Sequence, residues 1–474
     1  MRRIHALFAV AASALPLCLS FVGCGDVTED PSDAAPEAGS DVRIRVDSAI
    51  PPVPYVPVGV KCVRGGGVDA GVADTAPPFD AGVDDAAVDA DADGAADSGA
   101  DADETGSGPA HLGPPQALWS GGDLLQNPTI VTISFPGDDL VDAIEDFVSS
   151  FGCTPYWQAV VGEYGVHEAI AGRPVRLTEA APGKIDDSAI QVWLANKLEK
   201  HDPAFDPPTP DSLYAIYYPA ETVITEGGAQ SCQQFGGYHN NLVLSDGTRV
   251  AYAVMPRCSS FDSLSGIDAL TGTSSHEFAE AVTDPYPSDA PAYQSPDDDH
   301  FIWGVLIGGE VGDLCVNVNE RAFFSPVGYP FFVQRTWSNV SALSGHDPCV
   351  PNAPGAYFQA VPRLTDDVVL SGFGQTIHTK GVIIGVGGSK VIDLNLFSDA
   401  PTSAWTVGVH DAAGYLGLPP SLTFSLDKSS GNDGDTIHLT IFKNSANADL
   451  GAEPFEITSR QGPRTNTYFG LVGH

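Results

Sequence analysis

The sequence predicts an α/β (α+β) domain followed by an all-β, immunoglobulin-like sandwich, with a disordered acidic segment in front of both. Residues 114–351 alternate between apolar runs typical of buried strands and helical patterns. Residues 352–474 contain short β-type runs separated by Gly, Asp, Asn and Ser, which favours a sandwich. Residues 24–113 are rich in Asp, Ala, Gly and Pro with almost no aromatics, so they cannot bury enough apolar surface to fold.

Residues 1–23 have the pattern of a secretory signal peptide. A basic start at Arg2 and Arg3 precedes an apolar run that is too short to span a membrane as a stable helix. Residues 21–24 (FVGC) resemble a lipobox, with Phe where Leu is usual. We therefore expect an exported protein, anchored to the membrane of the bacterial cell envelope by a lipid on Cys24, or freely secreted if cleavage occurs without lipidation.

The acidic segment, residues 24–113, carries much of the net charge of −39. Its self-repulsion predicts an extended tether. The acidity argues against nucleic-acid binding, because contacts with phosphate need Lys and Arg. Residues 89–94 resemble the start of an EF-hand loop, but Ala100 stands where the bidentate Glu is needed. Weak calcium binding is therefore the most that this segment predicts.

The two folded parts show different periodicities. The middle part has strand-like runs at residues 129–135, 213–218 and 249–255, and helical patterns at residues 138–151, 156–163 and 188–201. The last part has β-type runs at residues 368–370, 381–386, 391–396, 405–410, 436–442 and 454–458. The last part has no catalytic constellation, and we expect it to bind a surface or act as a spacer.

The strongest chemical motif is His276-Glu277-Phe278-Ala279-Glu280. A His and a carboxylate four residues apart lie on one face of a helix, where they can share a metal ion. Glu277 lies one step around the helix, where it could take a proton from a metal-bound water. This is the layout of the H-E-x-x-H zinc peptidases, with Glu280 in place of the second His. The alternative is a solvated acidic face with a chance His.

The sequence around this motif predicts an amphipathic helix. Ser265 and Asp268 resemble a capping box at its start, and Pro285 prevents its continuation. The predicted packing stripe consists of Ile267, Leu270, Ser274, Phe278, Ala281 and Val282. The predicted polar side of the helix consists of His276, Glu277, Glu280 and Asp284.

Residues 308–315 (GGEVGDLC) carry two more acidic residues in a Gly-flanked segment. Zinc sites of this type draw two ligands from a helix and a third from a later segment. Glu310 is the predicted third ligand, and Asp313 is predicted to orient His276 or the metal-bound water. The alternative is that Gly-Gly-Glu is a turn and that Asp313 is a cap.

Together these motifs resemble the phosphate-induced/EXORDIUM family and its bacterial relatives, which are described as zinc-dependent peptidases. The resemblance covers about residues 128–351. It rests on residues 276–285 and 310–315, on residues 154–157 (TPYW) and 212–218 (SLYAIYY), and on Cys232 followed by residues 236–239 (GGYH). It implies a metallopeptidase-like domain. Plant members of the family are known chiefly as wall-associated growth proteins without an established reaction.

His239 lies in a stretch rich in Gly and Asn, residues 236–241, which predicts a loop that approaches the site. It could be a metal ligand or a catalytic donor to the oxyanion of a tetrahedral intermediate. The alternative, which is more common for a loop His, is a side chain that is exposed or bonded to a backbone carbonyl. His300 and His346 are interpreted as polar loop residues.

The cysteines predict disulfide bonds. Cys18 leaves with the signal peptide and Cys24 carries the lipid, so six remain, an even number in an exported chain. Cys232 with Cys258 and Cys315 with Cys349 are plausible pairs, while Cys62 and Cys153 are left unassigned.

Two main hypotheses follow. In the first, zinc is held by His276, Glu280 and Glu310, Glu277 is the general base, and the substrate is a peptide bond. In the second, the cluster holds a structural metal or none, and the chain binds a cell-surface glycan or protein polymer. A third hypothesis is that the protein is a calcium-dependent adhesin. We favour the first, although a carboxylate at position 280 weakens the pull of the metal on a bound water's proton.

Overall fold

The computed structural model describes residues 61–62, 113–261, 264–316, 321–372, 375–446 and 451–474. The predicted signal peptide, Cys24 and most of the acidic segment lie outside these residues. The described protein is mostly β with some helices. A mixed sheet with helices on both faces comes first, and two further sheets follow.

The first sheet has its strands in the order Ile170–Ala171, Thr129–Ser134, Ser212–Tyr218, Arg249–Pro256 and Tyr238–Val243, with Val175–Arg176 also beside Thr129–Ser134. The pairs are parallel except at the edge, where Tyr238–Val243 runs antiparallel to Arg249–Pro256. The three predicted strands lie in this sheet within one residue of the predicted bounds. The edge strand was missed.

Seven helices occur in the described ranges. They are α1 (Val141–Phe151), α2 (Pro155–Val161), α3 (Asp187–Glu199), α4 (Gly266–Thr283), α5 (Phe301–Ile307), α6 (Asp313–Val316) and α7 (Asn339–Leu343). Short 3₁₀ turns lie at Gly162–Tyr164, Asp298–His300 and Ala413–Leu416. None of these helices is long and apolar enough to cross a membrane.

Several short strands connect these elements. They are Ala117–Leu118, Lys184–Asp186, Val223–Glu226, Ala229–Gln230, Ser260–Phe261, Leu264–Ser265, Ser295–Pro296, Phe323–Phe324, Val333–Gln334, Thr336–Trp337 and Cys349–Val350.

The first sheet separates two hydrophobic cores, because successive residues of a strand point to opposite faces. Tyr214 and Ile216 pack with α3 on one face. Ala215 and Ala253 lie in the core shared with α1, α2 and α4 on the other. Their small side chains leave room for α4 to lie close to the sheet, next to the edge strand.

The last part of the chain forms two sheets. The four-stranded sheet has its strands in the order Phe358–Pro362, Ser389–Ser398, Thr436–Lys443 and Leu422–Leu426. The six-stranded sheet has its strands in the order Asp366–Gly372, Gln375–Ile383, Arg464–Gly473, Glu453–Gln461, Trp405–Asp411 and Ser430–Gly431. Neighbours are antiparallel except Gln375–Ile383 and Arg464–Gly473. All six predicted runs overlap these strands. Arg464–Gly473 was missed because it is buried on both faces and shows no alternation.

Helix α5 joins the two parts of the protein. Trp303 is 2% exposed, donates its indole N–H to the Phe469 carbonyl at 3.1 Å, and meets the rings of Trp337 and Tyr468 edge-on. His300 is buried here as well, with Nδ1 2.7 Å from Asp297 Oδ1, so its interpretation as a polar loop residue is wrong. Strand Arg464–Gly473 of the six-stranded sheet thus packs directly on the helix that leads into residues 308–313.

Three disulfide bonds stabilise the fold. Cys232–Cys258 and Cys315–Cys349 are bonded as predicted, and Cys62–Cys153 is the third pair. Such bonds persist in an oxidising, extracellular environment. The three disulfide bonds agree with the prediction of an exported protein.

The junction between the two parts of the protein, where α5 packs on strand Arg464–Gly473, can be tested at Trp303. We expect Trp303→Ala to lower the free energy of unfolding by about 3–5 kcal/mol, since it empties a packed site between the two parts. Trp119 is the matched control: it is 59% exposed, and Trp119→Ala should cost less than about 1 kcal/mol. Urea unfolding followed by circular dichroism measures both. Equal losses would contradict the assignment of Trp303 as the junction.

Candidate metal centre

Helix α4 carries the motif through the interior. Ser265 precedes its first turn, but its side chain makes no capping hydrogen bond, so the predicted capping box does not form. The predicted polar side is also buried: Glu277 is 4% and Glu280 3% exposed. The motif is therefore not a solvated acidic face. A buried carboxylate needs a compensating partner.

His276 is held in one orientation by Gln334. The Nδ1 atom lies 3.0 Å from Gln334 Oε1, and the amide nitrogen of Gln334 donates to the Gly312 carbonyl at 2.8 Å. Because the amide is fixed by this second bond, its oxygen accepts from His276 Nδ1–H. Nε2 then faces Glu280 and Asp313, and a metal-ligating His is commonly held by a hydrogen bond at its other ring nitrogen in this way.

Glu280 connects the helix to residues 308–313, which we call the ligand loop. Glu280 Oε1 accepts hydrogen bonds from the backbone N–H groups of Gly312 and Asp313 at 3.1 and 3.0 Å. Its Oε2 lies 3.2 Å from His276 Nε2, and Asp313 Oδ1 lies 3.8 Å from the same nitrogen. One imidazole nitrogen and two carboxylate oxygens therefore converge.

His239 lies in the edge strand Tyr238–Val243, not in the predicted loop. It pairs with Ala253, so its side chain shares the face on which α4 packs. The ring is 4% exposed, with Nδ1 3.7 Å from Glu277 Oε2 and 3.8 Å from Glu280 Oε2. On its other side, Nε2 lies 3.4 Å from Glu310 Oε1. Pairing with the next strand outweighs the local turn preference of Gly and Asn.

The structure divides the predicted ligands into overlapping groups. Three sets of side chains each offer ligand atoms within 4.8 Å of one another: His276, Glu280 and Asp313; His239, Glu277 and Glu280; and His239, Asp284 and Glu310. Asp313, predicted as an orienting residue, takes the place beside His276 that was predicted for Glu310. Glu310 instead joins His239.

Asp284 is the residue that the sequence analysis did not propose as a ligand. It caps the C-terminal end of α4 and is 0% exposed. The sequence signal that could have identified Asp284 as a ligand was its position on the polar side of the motif helix. The helix ends there, however, so the direction of the carboxylate depends on how the following segment folds back. In the structure Asp284 Oδ1 accepts from the Ala292 N–H at 2.6 Å.

The pKa values reflect a surplus of carboxyl groups. Burial opposes charge on both imidazoles, but the carboxylates outweigh it and raise the pKa of His276 to about 10 and that of His239 well above its usual value. Burial raises the pKa of Glu310 and of Asp313 well above the usual range. Burial also opposes ionisation of Glu280, yet the histidines lower its pKa. A bound cation would compensate this surplus.

Glycines allow the ligand loop to approach α4. A Cβ on Gly312 would lie 2.6 Å from His276 Nδ1 and 2.7 Å from Glu280 Oε1. Gly308 has a φ of +89°, and a Cβ there would lie 1.9 Å from Asp313 Oδ2. Both positions exclude any larger residue because the ligands themselves occupy the space.

Comparisons with known proteins do not identify a family for this chain. No protein-family model and no curated protein matches the chain. Among solved structures, a chimeric titin Z1Z2 functionalised with a KLER exogenous peptide from decorin is similar at 15% sequence identity; the match covers 24% of this chain and 94% of the titin chain, with a TM-score of 0.14.

Gly312 gives a test of the site geometry. We expect Gly312→Ala to lower zinc affinity by about 10–100-fold, because the added methyl group displaces His276 and Glu280 from each other. Competition with a chromogenic chelator measures the affinity. Gly183→Ala is the control, since nothing lies within 4 Å of its added Cβ. Unchanged affinity in Gly312→Ala would show that these two side chains do not bind the ion together.

Proposed function

We propose that this protein is an exported zinc-dependent hydrolase that cleaves peptide bonds, with His276, Glu280 and Asp313 as ligands and Glu277 as the general base. The observation that carries the proposal is the convergence of His276 Nε2, Glu280 Oε2 and Asp313 Oδ1. Glu277 is next to His276 on the same helix.

The donor set suits the proposed ion. One imidazole nitrogen and two carboxylate oxygens are ligands that zinc accepts, with a position left for water as in catalytic sites. Zinc at this place would polarise the attacking water and the substrate carbonyl. Gln334 orients His276, and the backbone of Gly312 and Asp313 holds Glu280, so that both ligands are positioned in advance.

Glu277 is proposed to take the proton of the attacking water. Its side chain is 5% exposed and lies beside the proposed ligands, with Oε2 3.7 Å from His239 Nδ1. A general base must be within hydrogen-bond reach of the proton that it removes. The next residue after a metal-ligating His satisfies this condition in the H-E-x-x-H layout.

The finer parts of the fold assignment belong to the same proposal. A metallopeptidase-like first part and an EXORDIUM-like origin are supported by the motif at His276–Glu280 and by the ligand loop. The last two sheets are proposed to form an immunoglobulin-like sandwich that binds a cell-surface polymer or acts as a spacer. A lipid on Cys24 would hold the protein at the membrane.

The central test replaces the proposed base. We expect Glu277→Gln to lower kcat by about 10²–10⁴-fold, because the amide cannot accept the proton, while bound zinc is retained. His276→Ala should lose hydrolysis together with the zinc ion bound at His276, Glu280 and Asp313. The measurements are cleavage of a fluorogenic peptide mixture and elemental analysis of the purified full-length chain.

The control is Glu168→Gln, a substitution of the same type at an exposed position, which should leave kcat and zinc content unchanged. Full activity in Glu277→Gln would exclude Glu277 as the base. Zinc binding without any peptide cleavage in the wild-type chain would instead support a non-catalytic surface protein with a structural metal.

A further inference from the structure

Within the described ranges, three buried atoms in a second part of the cluster make no hydrogen bond, although two of them, His239 Nε2 and Glu310 Oε1, lie 3.4 Å apart. His239 Nε2, Asp284 Oδ2 and Glu310 Oε1 are buried and make no hydrogen bond in the part of the chain that the structure describes. The His239 side chain is 4% exposed and Asp284 is 0% exposed. A buried polar atom that makes no hydrogen bond is unfavourable, because it has lost its contacts with water. Three such atoms at one place indicate a ligand that binds all three.

The Asp284 side chain and the backbone around Glu310 are held by their surroundings. Asp284 Oδ1 accepts from the Ala292 N–H at 2.6 Å, which leaves Oδ2 directed into the cluster. The backbone carbonyl of Glu310 accepts from the Leu314 N–H at 3.2 Å. A Cβ on Gly309 would lie 2.6 Å from the Gln294 carbonyl oxygen, so the ligand loop packs tightly there. The Asp284 carboxylate and the loop that carries Glu310 are therefore held in place without a bound ion.

His239 is also arranged like a metal ligand. Its Nδ1 faces Glu277 and Glu280, and its Nε2 faces Glu310 at 3.4 Å. A carboxylate on one side of an imidazole favours the proton there and increases the basicity of the other nitrogen. The lone pair of Nε2 would then point to Glu310 and Asp284.

We propose that His239, Asp284 and Glu310 bind a second divalent metal ion, so that the centre holds two ions linked through Glu280 and His239. The three side chains offer ligand atoms within 4.8 Å of one another. Glu280 Oε2 lies 3.2 Å from His276 Nε2 and 3.8 Å from His239 Nδ1, so it lies between the two histidines. The inference deepens the proposed function and rests on it for the ion at His276.

The donor types define the class of ion. Two carboxylates and one imidazole suit divalent ions such as zinc or manganese, and the two negative charges match a dication. A water molecule would satisfy hydrogen bonds but would bring no positive charge to the two carboxyl groups. In hydrolases with two ions, the pair orients the substrate as well as the attacking group. His239 would thus be a ligand and not a donor to the oxyanion.

The experiment measures how much zinc each variant binds. The purified full-length chain is stripped with EDTA, loaded with zinc in millimolar magnesium to suppress weak binding by the acidic segment, desalted and analysed for zinc per chain. The variants are Asp284→Asn, which keeps the oxygen that accepts from Ala292, Glu310→Gln, His276→Ala and the double variant His276→Ala/Asp284→Asn. Thermal unfolding confirms that each is folded.

Asp347→Asn is the matched control. Asp347 is also buried and also accepts from a backbone N–H, that of Cys349 at 3.0 Å, but it is not in any of the three ligand groups. We expect two zinc ions per chain in the wild type and in this control. Asp284→Asn, Glu310→Gln and His276→Ala should each retain one, and the double variant none.

Other results overturn the inference in distinguishable ways. One zinc ion in the wild type that Asp284→Asn and Glu310→Gln retain and His276→Ala loses would exclude the second site and leave the proposed function intact. One ion that Asp284→Asn loses and His276→Ala retains would exclude the ion at His276, and with it the proposed function. No bound zinc in the wild type would exclude both.

Discussion

The structure depends on the compensation of buried negative charge in one cluster. Five carboxyl groups and two imidazoles lie in contact at the point where α4, the edge strand Tyr238–Val243 and the ligand loop meet. A buried carboxylate without a partner is so unfavourable that it takes up a proton or binds a cation. Burial raises the pKa of Glu310 and Asp313, and the surrounding carboxylates raise that of His239, so protons compensate part of the negative charge without a metal.

This constraint accounts for the packing around the cluster. Glu280 is held through the backbone of the ligand loop, and Gln334 holds both His276 and Gly312. The Cys315–Cys349 disulfide fixes the end of α6, directly after that loop. The N–H of Trp337 donates to the Val311 carbonyl at 2.7 Å. Rigid surroundings hold the carboxyl groups of the cluster at short distances from one another. Flexible surroundings would let these groups move apart.

The last two sheets take part in this support. Arg464–Gly473 packs against α5 through Trp303, and α5 runs into the ligand loop. A single hydrophobic core extends from α4 through α5 into both sheets. Glu310 and Asp313 are therefore positioned by contacts that reach the end of the chain. The strand-rich part is structurally coupled to the centre, whatever it binds on its outer surface.

The sequence by itself determined the motif helix, three strands of the first sheet and most of the residues of the cluster, and it suggested two of the disulfide pairs. These features follow from local periodicity and from residue type. Only the tertiary structure decided that His239 lies in a strand, that Asp284 turns into the cluster, and that Asp313, not Glu310, accompanies His276. Those outcomes depend on pairing with a distant strand and on where the chain goes after α4, and contacts between remote segments leave no periodic signal in the sequence.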